Sequence, residues 1–182
     1  MPEETNPINI TKELEEKATI LLLMPGASYN TVVIDTARKV SGKRVCYITL
    51  NKTYNSLQEL FFKQNINTRN FFFIDAISKS FTEQASEQSQ CQFITPGSLT
   101  EISLTIAEVL KTKFDYFIFD SVTNLFVYQR QNDVIKFLSD MLQKVKRAET
   151  KAVLYAVEEE DTLLRKLCVM VDACITVPRS NP

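Results

Sequence analysis

Pro25, Gly26, Ala27, Ser28, Tyr29, Asn30 and Thr31 follow an apolar run and precede a helical pattern. A buried strand, a tight turn and a helix start, in that order, make the geometry of a phosphate-binding loop, written G-x-x-x-x-G-K-S/T. In such a loop glycines let backbone N–H groups approach phosphate, lysine supplies a cation, and a hydroxyl reaches magnesium. Here only Gly26 is kept of the two glycines. Ser28 falls where the second would stand, Tyr29 where lysine would, and Asn30 where the hydroxyl would. The architecture of the loop survives, and most of its chemistry is missing.

The elements that must hold this loop are legible as a pattern. Residues 18–24 are continuously apolar, as a strand covered on both faces of a parallel sheet must be. Asn30 or Thr31 can cap the next helix, which puts Val33, Ala37 and Val40 on one stripe and stops at Ser41-Gly42. Residues 45–50 (VCYITL) form a second strand, Leu57, Leu60 and Phe61 a short helix ending near Asn65, and 71–75 a third strand. Alternating strands and helices are the rhythm of a parallel α/β sheet. The polar stretch 78–90 interrupts it as an exposed loop or mobile insertion, before a short edge strand at 91–95. Ser98 and Glu101 form a capping box for a helix carrying Ile102, Ile106, Val109 and Leu110.

Residues 114–120 (FDYFIFD) are the most strand-like run and end in Asp120-Ser121. Val134, Phe137, Leu138, Met141, Leu142 and Val145 recur at helical spacing, and Lys136, Lys144, Lys146 and Arg147 make a solvated opposite face. Residues 152–157 give another strand, 158–161 an acidic turn opening a short helix, and 173–177 a last strand. The reading is a polar lead-in over 1–16 with one helical turn near 12–17, a single domain over 17–178, and a tail over 179–182. The fold class expected is α/β, a three-layer sandwich with a mostly parallel central sheet.

Composition narrows the function. At 182 residues and 45% apolar content, the chain can bury one substantial core and hardly two. Its 21 basic and 22 acidic residues leave a net charge of -1, so no global pull toward nucleic acid or membrane is encoded. No apolar signal region opens the sequence and no run approaches the about 20 residues that span a bilayer, so a cytoplasmic protein is expected. Histidine is absent, which removes Ser-His and Cys-His catalysis. Cys46, Cys91, Cys168 and Cys174 are scattered, with no C-x-x-C pair, and are read as small buried hydrophobes rather than zinc ligands or a disulfide framework.

From about Ala18 to Val177 the order of elements resembles the RecA-like ATPases, and within them the KaiC-type domains of archaea and bacteria. That family's loop reads P-G-S/T-G-K-S/T-T, and residues 25–31 keep its first Pro-Gly and its last Thr. Its second strand ends Y-V-T-F-E-E, matched by Tyr47-Ile48-Thr49-Leu50 until Asn51 and Lys52 replace the glutamates. Its magnesium-side strand ends in Asp-Ser, here Asp120-Ser121, and its closing strand resembles Val171-Asp172-Ala173-Cys174-Ile175-Thr176-Val177. The resemblance implies a P-loop fold whose lysine, magnesium hydroxyl and water-positioning glutamate are lost at Tyr29, Asn30 and Asn51-Lys52. Phosphoryl transfer depends on those groups, so the expectation is a catalytically inactive regulatory or scaffolding domain without a cofactor. It would act through a protein partner or as a homo-oligomer. The alternative is a nucleotide-binding module or weak ATPase in which Ser28, Asn30, Thr31 and the helix start hold ATP or another anion. A recombinase-type DNA-repair accessory is a weaker option, because nucleic acid would need a basic groove.

Overall fold

These alternating runs fold into a single layered sheet in a computed structural model, which describes residues 10–81, 88–157 and 162–178. The order is α1 (Ile10–Glu16), β1 (Thr19–Met24), a 3₁₀ turn (Gly26–Ser28), α2 (Tyr29–Val40), β2 (Val45–Thr49), α3 (Tyr54–Lys63) and β3 (Phe71–Asp75). It continues with β4 (Cys91–Phe93), α4 (Leu99–Val109), β5 (Tyr116–Asp120), α5 (Val122–Tyr128), α6 (Gln131–Arg147), β6 (Lys151–Val157), α7 (Thr162–Cys168) and β7 (Ala173–Thr176). The strands lie in the order β4-β3-β2-β5-β6-β1-β7, and every pairing between them is parallel.

Strand side chains alternate between faces, so each strand feeds two cores. Cys46, Ile48, Phe117, Phe119 and Leu154 pack with the helical layer of α4 to α7. Tyr47, Ile118, Val153 and Tyr155 pack with α1 to α3. This is the expected three-layer α/β sandwich, with a sheet more uniformly parallel than anticipated. A buried Val or Leu in either core stabilises by about 1.5–3 kcal/mol, and α6 contributes all six of its patterned apolar residues.

Several local expectations change. The turn read near 12–17 is the helix α1, with Ile10 and Leu14 buried, and the Lys151 ammonium donates to the Leu14 carbonyl. Asn30 and Thr31 do not cap α2. The 3₁₀ turn runs straight into that helix, closed by Ser28 N to Pro25 O at 2.9 Å, so both residues lie exposed in its first turn. Ser98 caps α4 as read, accepting from Glu101 N at 3.3 Å, but the Glu101 carboxylate reaches Thr95 N instead of the cap itself. Lys144 is not simply solvated, since it donates to Ser103 O and Oγ at 3.1 and 2.6 Å. Cys46 and Cys91 are buried and free, whereas Cys168 and Cys174 are joined in a disulfide because the end of α7 and β7 converge to a Cα separation of 5.2 Å. The acidic turn at 158–161 and the middle of the polar stretch, 82–87, lie outside the described residues. Among those described, no helix is long and apolar enough to cross a membrane.

Candidate functional site

A parallel sheet brings the carboxyl ends of its strands to one edge, the place where open α/β sheets bind ligands. Here that edge gathers the loop after β1, the turn after β2 and the Asp120-Ser121 end of β5. β6 lies between β1 and β5, so the loop must reach over one strand to touch Asp120. Tyr29 makes that reach. It opens α2 with its ring turned onto the sheet, and its hydroxyl donates to Asp120 Oδ2 at 2.5 Å. From β2, the Tyr47 hydroxyl donates to the same oxygen at 2.6 Å. The Tyr47 ring is held there by Phe61 and Phe73, at centroid distances of 6.2 and 5.6 Å. One carboxylate oxygen therefore accepts from two phenols, while Asp120 Oδ1 has no partner among the described residues.

Burial decides the electrostatics. Asp120 is fully enclosed, and loss of water raises its pKa from 3.8 to about 6. The Tyr29 and Tyr47 hydroxyls and the charge of Lys52 pull in the other direction and leave the rise moderate. Burial also pushes both phenols well above the ordinary tyrosine range, reinforced by the Asp120 charge, so they remain donors throughout neutral pH. The cluster is one acidic proton site clamped by two permanent O–H donors.

The residues in the two glutamate positions, Asn51 and Lys52, approach the same tyrosine. Thr49 Oγ1 donates to Lys52 O at 2.5 Å and accepts from Lys52 N at 3.2 Å, which tightens the turn after β2. Lys52 Nζ then stands 5.8 Å from the centroid of the Tyr29 ring, within cation–π range. Asn51 lies beside the Tyr29 hydroxyl and favours its ionised form, against the larger effect of burial. Ser28 is buried with its hydroxyl unpartnered among the described residues. Pro25, Gly26 and Ala27 contribute the turn and no side-chain bond, and Gly26 has room for a Cβ, 4.0 Å from Val157 Cγ1. Ser121 turns away, donating to Asn124 Oδ1 at 2.5 Å at the start of α5, and the peptide joining it to Asp120 is cis.

No family model and no curated protein matches this chain. Solved structures do. The chain is similar to a KaiC-like protein from the hyperthermophilic archaeon Pyrococcus horikoshii OT3, at 10% identity, over 87% of this chain and 70% of that one, with a TM-score of 0.63. The fold is RecA-like. At that identity the likeness fixes the path of the backbone and leaves the chemistry to the side chains already described. Sequence reasoning singled out as motif positions Tyr29, Asn51, Lys52 and Asp120, which the structure brings to one edge. It missed Tyr47. The available signal was a tyrosine at an inward position of a strand buried on both faces, whose hydroxyl had to find an acceptor.

Proposed function

We propose that this chain is a catalytically inactive KaiC-type domain, a regulatory or scaffolding protein of the cytoplasm that works through a protein partner or further copies of itself. The observation that carries the reading is the Tyr29 hydroxyl on Asp120: the residue in the lysine position is bonded to the carboxylate that would face magnesium. The groups at this edge do not fit a magnesium nucleotide. The loop offers no cation of its own, Asn30 and Thr31 face solvent, and Lys52 stacks on Tyr29. The expected result is no Mg-ATP turnover and no rise in melting temperature with ATP. A ligand at 100 times its dissociation constant stabilises by about 2.7 kcal/mol, so real binding would be plain.

Tyr29→Lys alone is expected not to create hydrolysis, since Asn30 and Asn51 stay as they are. Turnover in that single variant would overturn the proposal. A nucleotide-binding module remains the competing reading, favoured by the buried and unpartnered Ser28 hydroxyl. A melting shift with ATP that Ser28→Ala removes would select it. Co-purification from the native host and mass by light scattering test the partner and the assembly.

A further inference from the structure

At the opposite edge, where strands β2, β5 and β6 begin, the molecule carries a groove of about 430 Å³, lined among others by Lys43, Lys113, Phe114, Tyr116 and Glu149. Its size falls within the roughly 300–1,000 Å³ of small-molecule sites. The frame is rigid. Arg44 N donates to Asp115 Oδ2 at 2.8 Å, Asp115 N returns a bond to Arg44 O at 2.8 Å, and Lys151 N donates to Asp115 O at 3.2 Å. Thr150 Oγ1 closes the third loop onto Phe114 O at 3.1 Å. In these bonds Asp115 uses one carboxylate oxygen, Oδ2, which also faces the Arg44 guanidinium at 4.0 Å, and the Lys151 ammonium donates to Leu14 O.

What is left free has a direction. The side chains of Lys43, Lys113 and Glu149 make no bond among the described residues. Lys43 precedes β2 and Lys113 precedes β5, two neighbouring strands, while Glu149 precedes β6 on the far side of β5. The free cations therefore lie toward the β2–β5 end and the free carboxylate toward the β6 end of a groove lined by four basic and two acidic side chains. Arg44 reaches Asp115 only at 4.0 Å, which keeps guanidinium N–H groups available at the cationic end. Phe114 and Tyr116, both half-buried, also line the groove, and their side chains pack against the cores on opposite faces of the sheet.

We propose that this groove binds a phosphorylated polyol, a sugar phosphate or nucleoside monophosphate, with its phosphate between Lys43 and Lys113 and a hydroxyl donating to Glu149. Two ammonium groups match a dianion, and a free carboxylate is an acceptor that suits hydroxyl donors and repels a second phosphate. The site is remote from the Tyr29–Asp120 edge, so it stands or falls apart from the function proposed above.

Isothermal titration at low ionic strength tests it, with ribose 5-phosphate, AMP, inorganic phosphate and ribose as separate arms. Ribose 5-phosphate or AMP is expected to bind, at least ~10-fold tighter than inorganic phosphate or ribose, and to weaken as salt is raised. The double variant Lys43→Ala/Lys113→Ala should lose ~10-fold or more in affinity, Glu149→Gln a few-fold, and Lys136→Ala on the far face of α6 nothing. These are exposed side chains, and unchanged melting temperatures confirm that folding is intact. No heat with either phosphorylated polyol, equal binding of inorganic phosphate, full affinity in the double lysine variant, or tighter binding of a short oligonucleotide overturns the proposal.

Discussion

Two aspartates end parallel strands at the same edge of the sheet, both fully buried, and they are held in opposite ways. Asp75, at the end of β3, fills both oxygens. Oδ1 accepts from Ile77 N and Ser78 N at 2.9 and 2.7 Å, and Oδ2 from Tyr54 N and Ser78 Oγ at 2.7 and 2.5 Å. Three of these donors are backbone amides, one of them at the amino terminus of α3, where the helix dipole favours an anion. Asp120 receives no amide. Its two donors are phenols on separate elements, both on one oxygen, and the other oxygen is unpartnered among the described residues. Asp75 is fixed by the backbone it fixes, whereas Asp120 is held by side chains that can be exchanged without moving a strand.

The sharpest way to break this contrast is Asp75→Ala. It strands three amides in the interior and should lower unfolding free energy by about 4 kcal/mol in chemical denaturation with an unchanged m-value. Asp120→Asn should act with the opposite sign. Because burial raises the folded pKa of Asp120 from 3.8 to about 6, the protonated form is the one folding favours. The contribution of that group is full below about pH 3.8 and is lost as pH rises through about 6. Asparagine keeps an acceptor for both phenols and carries no charge, so the variant should gain about 3 kcal/mol over the parent at pH 8 and almost nothing at pH 4. A loss at pH 8 would mean that the two aspartates are alike.

Tyr29→Phe sharpens the same point. It leaves Asp120 one donor and should cost about 2 kcal/mol at pH 8, and clearly less in the Asp120→Asn background, a coupling that a double-mutant cycle reads directly. Gly26→Ala is the smallest change. Gly26 lies outside the positive-φ region and its Cβ site is open, so stability should move by less than about 0.5 kcal/mol. A large loss there would show that the loop backbone is held for something closer than Val157.

Much of this fold was visible in the chain. Continuous apolar runs such as TILLLM and YFIFD have only one economical place, inside a covered parallel sheet, and the stripe on α6 has only one face to bury. α5 was not read because VTNLFVY is β-branched and aromatic, types that favour strands, and although Ser121 stands at its N-cap the serine side chain makes no cap bond; the helix buries Val122 and Leu125. The site was half legible. Tyr29 and Asn51 stood out as departures from a motif and Asp120 as a position that keeps it, but the bond from Tyr29 to Asp120 joins residues 91 apart and depends on which strands are neighbours. Asp75 was passed over as a strand end, since nothing in FFFIDA tells that its carboxylate collects the amides of a turn and a helix. The Cys168–Cys174 pairing likewise depends on how close α7 ends to β7.

The Asp172 carboxylate has a temporal meaning. Its Oδ2 accepts from Ala18 N, Thr19 N and Thr19 Oγ1 at 3.0, 2.9 and 3.0 Å, and Lys146 Nζ holds Oδ1 at 3.3 Å, at the point where β7 joins the edge of β1. Among the described strands β1 comes first along the sequence, and its two neighbours, β6 and β7, come last. The partners Thr19 and Asp172 are 153 residues apart, which at about 5–20 residues per second is on the order of 10 s of translation. Residues 19–24 therefore wait for β6 before they have a strand to pair with, and for β7 and Asp172 before their second edge is closed, while β2 to β5 can already pair.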